Sequence, residues 1–302
     1  MNLNGDETEE ASTITSGWRA LAASVRGASH ERVGKPNQDA VGFRDGAWGA
    51  LVAVADGHGS AVCVRSDRGS KYAVQATFEL LGRLIDGPVS HDEIPQIELM
   101  IREEAPQKLV ERWQRLVEGD LAVEPLSADE ISRSDEAAEP HASSIESHAL
   151  LAYGSTLLIC IATDLYIALL QVGDGDIVSV DAEGKAVRPL PNDPRLIANE
   201  TTSLSGEQAW RNFRTGFIPL AETPIQMVLL SSDGYANSYA GDSAFFRVVT
   251  DILGNISRAG VERVKQELPS WLQDATNRGS GDDISAGLLF QELTAGCEDV
   301  AT

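Results

Sequence analysis

No run of apolar residues in this 302-residue chain is long enough to span a bilayer, and the polar N-terminus lacks the basic start and apolar core of a secretion signal. A cytoplasmic protein with no membrane partner is therefore expected. Cysteine is scarce. Cys63, Cys160 and Cys297 are odd in number and far apart, which indicates neither a disulfide framework nor a paired-cysteine zinc site. Cys63 and Cys160 sit in apolar surroundings and read as buried small residues. Positive charge is scarce too: 24 Lys and Arg against 46 Asp and Glu leave a formal net charge of -22, which argues against a grip on nucleic acid or anionic lipid. The glycine-rich phosphate loop with lysine is also missing, which counts against nucleoside triphosphate chemistry.

What the chain has is aspartate at the ends of apolar runs. Leu51-Val52-Ala53-Val54-Ala55 leads into Asp56-Gly57-His58-Gly59, and Leu169-Leu170-Gln171-Val172 into Gly173-Asp174. Met227-Val228-Leu229-Leu230 leads into Ser231-Ser232-Asp233-Gly234, and Asp282-Asp283 precedes Ile284 to Phe290. One Asp-Gly pair is ordinarily a hairpin turn, but four such stations imply strand ends that converge. Carboxylates gathered at one rim repel each other unless cations neutralise them, and all-oxygen ligands favour magnesium or manganese over zinc.

Residues 1–16 read as a disordered tail, residues 17–292 as one domain, and residues 293–302 as a C-terminal tail. A Ser-, Ala-, Glu- and Asp-rich stretch at about 118–148 reads as a long acidic loop. Acidic stations fall on both sides of it, which favours one domain with an excursion. Apolar residues recur at helical spacing from Ser66 to Ile85, from Ile97 to Leu116 with a break at Pro106, and from Val261 to Ala275. Short runs at Ser155–Ile161, Leu165–Val172 and Ile177–Val180 read as an antiparallel meander. Hairpin connections between strands, with helices in separate blocks, argue for an α+β protein whose antiparallel sheet is packed by helices. Trp113 and Trp271 read as core anchors.

The order of these motifs resembles the metal-dependent serine/threonine protein phosphatases of type 2C, the PPM-type phosphatases, over roughly Trp18 to Phe290. The segments that carry the resemblance are Asp56-Gly57-His58-Gly59, Tyr153-Gly154-Ser155-Thr156 and Ser232-Asp233-Gly234. It implies a four-layer α-β-β-α sandwich of two antiparallel sheets flanked by helices, and hydrolysis of phosphoserine and phosphothreonine by a metal-activated water. Two or more divalent ions, magnesium or manganese, are implied as cofactors. The implied partners are a phosphorylated protein substrate and an opposing serine/threonine kinase in a signalling role.

Carried over residue by residue, the resemblance makes Asp56 and the Gly57 carbonyl metal ligands, with Asp39, Asp233 and Asp282 beside them. Asp174 would hold a weaker additional ion, and His58 would protonate the departing oxygen. The pattern departs from the commonest members in three places. Gln38 stands where glutamate is usual in Lys35-Pro36-Asn37-Gln38-Asp39. Gly34 stands where a phosphate-binding arginine is usual, so His30 and Arg32 are the candidates for that contact. Asp283 stands where asparagine is usual; either carboxylate of Asp282-Asp283 fits as ligand, and the spacing favours Asp282. These features resemble a divergent bacterial branch with a histidine-containing start and an Asn/Cys-Gln-Asp motif. Two alternatives follow from the departures and from the chemistry: a catalytically weak member acting as a regulatory or binding module, and a hydrolase of a small-molecule phosphoester. The segment from Asn199 to Phe217 falls where the family places a variable flap, and reads equally as an ordinary surface loop.

Overall fold

The computed structural model describes residues 16–137, 149–193, 195, 201–221 and 223–292. Both expected tails, apart from Ser16, and residues 138–148 of the expected acidic loop lie outside the described residues. Among them are ten strands: β1 (Trp18–Val25), β2 (Ala40–Gly46), β3 (Gly49–Ala55), β4 (Leu157–Thr163), β5 (Tyr166–Val172), β6 (Asp176–Asp181), β7 (Ala186–Val187), β8 (Arg214–Pro219), β9 (Ile225–Ser231) and β10 (Ile284–Gln291). They form two five-stranded sheets, ordered β1-β10-β9-β6-β7 and β2-β3-β4-β5-β8, with every pairing antiparallel.

The helices with described bounds are α1 (Ala28–Val33), α2 (Ser66–Leu81), α3 (Ile94–Leu99), α4 (Ala105–Val123), α5 (Ala128–Ala137), α6 (Asp233–Ala236), α7 (Asp242–Ala259) and α8 (Val261–Arg278). None of them is long and apolar enough to cross a membrane. A π-helical turn, Met100–Glu104, separates α3 from α4, and Pro106 sits in the first turn of α4, where its missing N–H costs nothing.

Strands buried on both faces explain the unbroken apolar runs. In β3, Leu51, Ala53 and Ala55 join the core beneath α2 and α4, whereas Ala50, Val52 and Val54 face the second sheet with Leu158, Cys160, Val228 and Leu230. A third core packs α7 and α8 onto β9 and β10 through Phe245, Val249, Leu268 and Leu272. The result is the four-layer α-β-β-α sandwich.

Trp113 of α4 is fully buried and its indole N–H donates to the Gly69 carbonyl of α2 at 3.0 Å. Trp271 is half-buried at the edge of the α7–α8 core. Trp113→Ala should cost about 3–5 kcal/mol, read as a lower urea midpoint at unchanged slope. A loss below about 1 kcal/mol would show that α4 is not held by this contact.

Two expectations are corrected. The meander stops at β5, because β6 leaves that sheet and pairs with β9 in the other. The crossing is made at Gly173, whose φ of 104° lies in the region open to glycine, so a short turn read as a hairpin is a passage between sheets. The stretch expected to loop from about 118 is helical in α4 as far as Val123, and again in α5. Ser127 and Glu130 start α5 with reciprocal backbone caps, and Glu130 pairs with the buried Arg65 at 2.8 Å, which ties this helix to the body.

Candidate metal centre

Strand register gathers the acidic stations. Ala40 pairs with Ala55, so Asp39 and Asp56 lie one step beyond the same rung. Ser231 pairs with both Ala286 and Asp176, which brings Asp233, the Asp282–Asp283 pair and Asp174 to the corresponding rim of the other sheet. The two rims are joined by Ser232, whose hydroxyl donates to Asp39 Oδ2 at 2.7 Å and accepts the Ser285 N–H at 2.9 Å.

The rim is costly as it stands. Burial, and then the charges of Asp283 and Asp282, push the Asp39 carboxyl up to about 7, although the Ser232 hydroxyl opposes the shift. Burial holds Asp56 well above the usual carboxylate range, and the charges of Asp39, Asp233, Asp282 and Asp174 all add to the effect. Asp233, within hydrogen-bonding reach of Asp56, is raised to about 6 by burial and then by Asp174 and Asp282. Asp39, Asp56, Asp174, Asp233, Asp282 and Asp283, from both sheets, therefore share one field.

A divalent cation fits this donor set. Among the described residues, buried Asp39 Oδ1 has no hydrogen-bond partner, nor have Gln38 Oε1 and His58 Nε2 in the same corner. Orphaned buried polar atoms call for a missing partner, and hard oxygen ligands such as the Asp39 and Gln38 oxygens suit magnesium or manganese. Gly57, the other expected ligand at this station, is placed by its N–H donating to the Gln38 carbonyl at 3.2 Å.

The Asp282–Asp283 pair is split by burial. Asp282 is 54% exposed and faces the rim, while Asp283 is 2% exposed and fully engaged. Asp283 Oδ1 accepts the Gly27 N–H at 2.6 Å, and Oδ2 accepts the Gln38 N–H at 2.7 Å and faces His30 Nδ1 at 2.9 Å. His30 Nε2 then lies 3.7 Å from Asp282 Oδ1, which brings the histidine to the rim. Arg32 is exposed, and its Nε donates to the Ala28 carbonyl at 3.1 Å. Gly34 ends α1 with a φ of 72°, a conformation an arginine there would adopt only with strain.

His58 is held by its backbone, the N–H donating to Gly154 at 3.1 Å and the carbonyl accepting from Gln38 Nε2 at 3.3 Å. Burial lowers its imidazole below the usual value, and Asp174 partly opposes this. The Gln38 amide thus replaces a carboxylate with a donor; it also donates to the Ser66 hydroxyl. These roles of Gln38, Ser232 and Asp283 are not read from the sequence, where a buried hydroxyl or amide has no periodic mark; the doubled acid at 282–283 is the one visible signal.

Asn199 and Glu200 of the expected flap lie outside the described residues. The rest docks against the strand-end turns. The Leu204 N–H donates to Ser155, and Thr202 Oγ1 accepts the Gly173 N–H at 2.8 Å.

A family model described as protein phosphatase 2C matches residues 26–273. No curated protein matches the chain. Among solved structures, PppA of Pseudomonas aeruginosa, described as a key regulatory component of T6SS, is 19% identical with a TM-score of 0.56, covering 91% of this chain and 98% of its own. The serine/threonine phosphatase PstP/Ppp of Mycobacterium tuberculosis is 16% identical with a TM-score of 0.55, covering 91% and 99%. The catalytic domain of PstP in complex with two manganese ions is 16% identical with a TM-score of 0.53, covering 90% and 97%. At these identities the shared property is the fold.

Proposed function

We propose, because this chain belongs to the protein phosphatase 2C family, that it is a metal-dependent phosphatase releasing phosphate from phosphoserine and phosphothreonine in proteins. The observation that carries the reading is the convergence of Asp39, Asp56, Asp174, Asp233 and Asp282 in one strained acidic field. An anionic phosphate would be repelled from such a rim unless cations occupied it.

Asp39, Asp56 with the Gly57 carbonyl, Asp233 and Asp282 would hold two divalent ions, magnesium or manganese, and Asp174 a further, weaker one. When bound, such ions supply the positive charge that meets the phosphate and activates water as the nucleophile. His30, oriented by Asp283, and Arg32 on the same helix supply the protein's own contacts to the phosphate oxygens. His58, whose Nε2 is enclosed and has no hydrogen-bond partner among the described residues, would give a proton to the departing serine or threonine oxygen. With the reading come a phosphorylated protein partner, an opposing serine/threonine kinase and a cytoplasmic setting.

The proton role has its own test. His58→Gln should lower kcat on a phosphothreonine peptide by about 10²-fold or more, yet change an aryl phosphate, whose phenolate leaves unaided, less than about tenfold. Equal losses on both substrates would remove His58 from leaving-group protonation.

The reaction class is tested by comparing a phosphothreonine peptide with nucleotides under the same manganese concentration. Preferred release from the peptide is expected. Preference for the nucleotide would mark a small-molecule phosphoesterase, and no release from either by folded protein would mark a regulatory module.

A further inference from the structure

Asp283 lies at the start of β10 with its carboxylate directed away from solvent and into three donors. A carboxylate only accepts, so the ring nitrogen facing Oδ2 must carry a hydrogen for the contact to be attractive. That requirement sets the His30 ring with Nδ1–H on Asp283 and Nε2 turned to the rim near Asp282.

The same oxygen accepts the backbone N–H of Gln38, which immediately precedes Asp39. Gln38 in turn reaches across to the second histidine: its amide donates to the His58 carbonyl, and its own carbonyl accepts the Gly57 N–H and the Ser70 hydroxyl. One buried carboxylate therefore connects the α1 entry, the Asp39 station and the Asp56–His58 turn.

His30, Asp282 and Asp283 also place potential ligand atoms within 4.8 Å of one another. An ion bound at Asp283 Oδ2 would have to displace two donors, whereas Asp282 keeps an exposed carboxylate. The two neighbouring acids have separate tasks.

We propose that Asp283 is a positioning residue, which orients His30 without taking an ion itself. This rests on the reading of the acidic rim as a phosphatase centre. Asp283→Asn keeps the shape but offers one acceptor oxygen and sets an NH₂ group against a donor.

The test measures manganese binding to metal-free protein by calorimetry, peptide kcat and KM, and the ring-nitrogen NMR signals of His30 in the metal-free protein. Asp283→Asn should bind manganese within about threefold of wild type and lose kcat by about 10–100-fold, the usual range for an outer-shell partner. KM should hold within about threefold, and the His30 signals should shift. Asp282→Asn should instead lose manganese affinity by more than about tenfold.

Loss of manganese by Asp283→Asn to the extent seen for Asp282→Asn would overturn the proposal, as would an unchanged kcat. A wild-type His30 with no hydrogen on Nδ1 would overturn it as well, and that spectrum decides the matter if the variant does not fold. Wild-type protein that binds manganese but turns over no peptide would defeat the phosphatase reading alone. The calorimetry and the His30 spectrum would then still judge Asp283.

Discussion

Asp56→Asn is expected to abolish peptide turnover, by about 10³-fold or more, while making the metal-free protein more stable. The two effects have one cause. Asp56 is buried and repelled by four other carboxylates, so its charge is a liability until cations share the rim. Metal charge stabilisation is worth several kcal/mol in such reactions, and each 1.36 kcal/mol is tenfold in rate. Asparagine keeps the size and leaves the backbone bond from the Asp56 N–H to Thr156 Oγ1 at 2.9 Å untouched. Urea denaturation in chelator gives the stability, and manganese calorimetry with peptide kinetics gives the function. A variant that is less stable without metal, or that keeps its turnover, would show that Asp56 serves the fold rather than the chemistry. Stability gained where function is lost is the signature of a strained functional site.

The rim should also make the metal-free protein lose stability as pH rises from about 4 to about 7. Asp39 is raised from its ordinary 3.8 to about 7, and Asp233 to about 6. Between pH 3.8 and 7 the unfolded chain releases protons that the folded protein retains, so the native state binds more protons and stability falls with rising pH. The contribution is full below about pH 4 and lost through about pH 7, on the order of a few kcal/mol.

Other carboxylates act in the opposite sense. Glu130, held down to about 2 chiefly by its hydrogen bond from Arg65, loses its stabilising charge as pH falls below about 4.5. The difference between wild type and Asp39→Asn isolates the contribution of Asp39, since asparagine can still accept from Ser232. In chelator, the wild-type melting temperature should fall more steeply than that of Asp39→Asn between pH 5 and 7.5. Adding manganese at pH 7.5 to about 100 times its dissociation constant should restore about 2.7 kcal/mol per site. Parallel pH profiles for the two proteins, with no shift on adding metal, would contradict the raised carboxyls.

The acidic stations are legible in the sequence because each borders a strand whose apolar run is unmistakable, and because glycine follows Asp56, Asp174 and Asp233. The α-β-β-α layering follows once the motifs are matched in order. The partition of strands between sheets does not, since Gly173-Asp174-Gly175 looks the same whether the chain folds back or crosses over. Strand β2 escapes notice because it is half exposed and carries no apolar run. Helix α7 carries an amphipathic spacing as clear as that of α8, in Phe245, Val249, Ile252 and Ile256. The spacing favours Asp282 over Asp283, but the physical difference between the two adjacent identical residues lies in burial and partners, which the sequence does not carry. Gln38 looks like a lost carboxylate on paper. In the folded protein its amide supplies a donor to the His58 carbonyl that glutamate could not.

Metal-dependent phosphate release is measured directly as phosphate liberated from a phosphothreonine peptide with manganese, with magnesium, and with chelator. Release with either ion that is abolished by chelator and by Asp56→Asn is the predicted result. Release that persists in chelator, or none with either ion from protein that calorimetry shows to be metal-loaded, would contradict it.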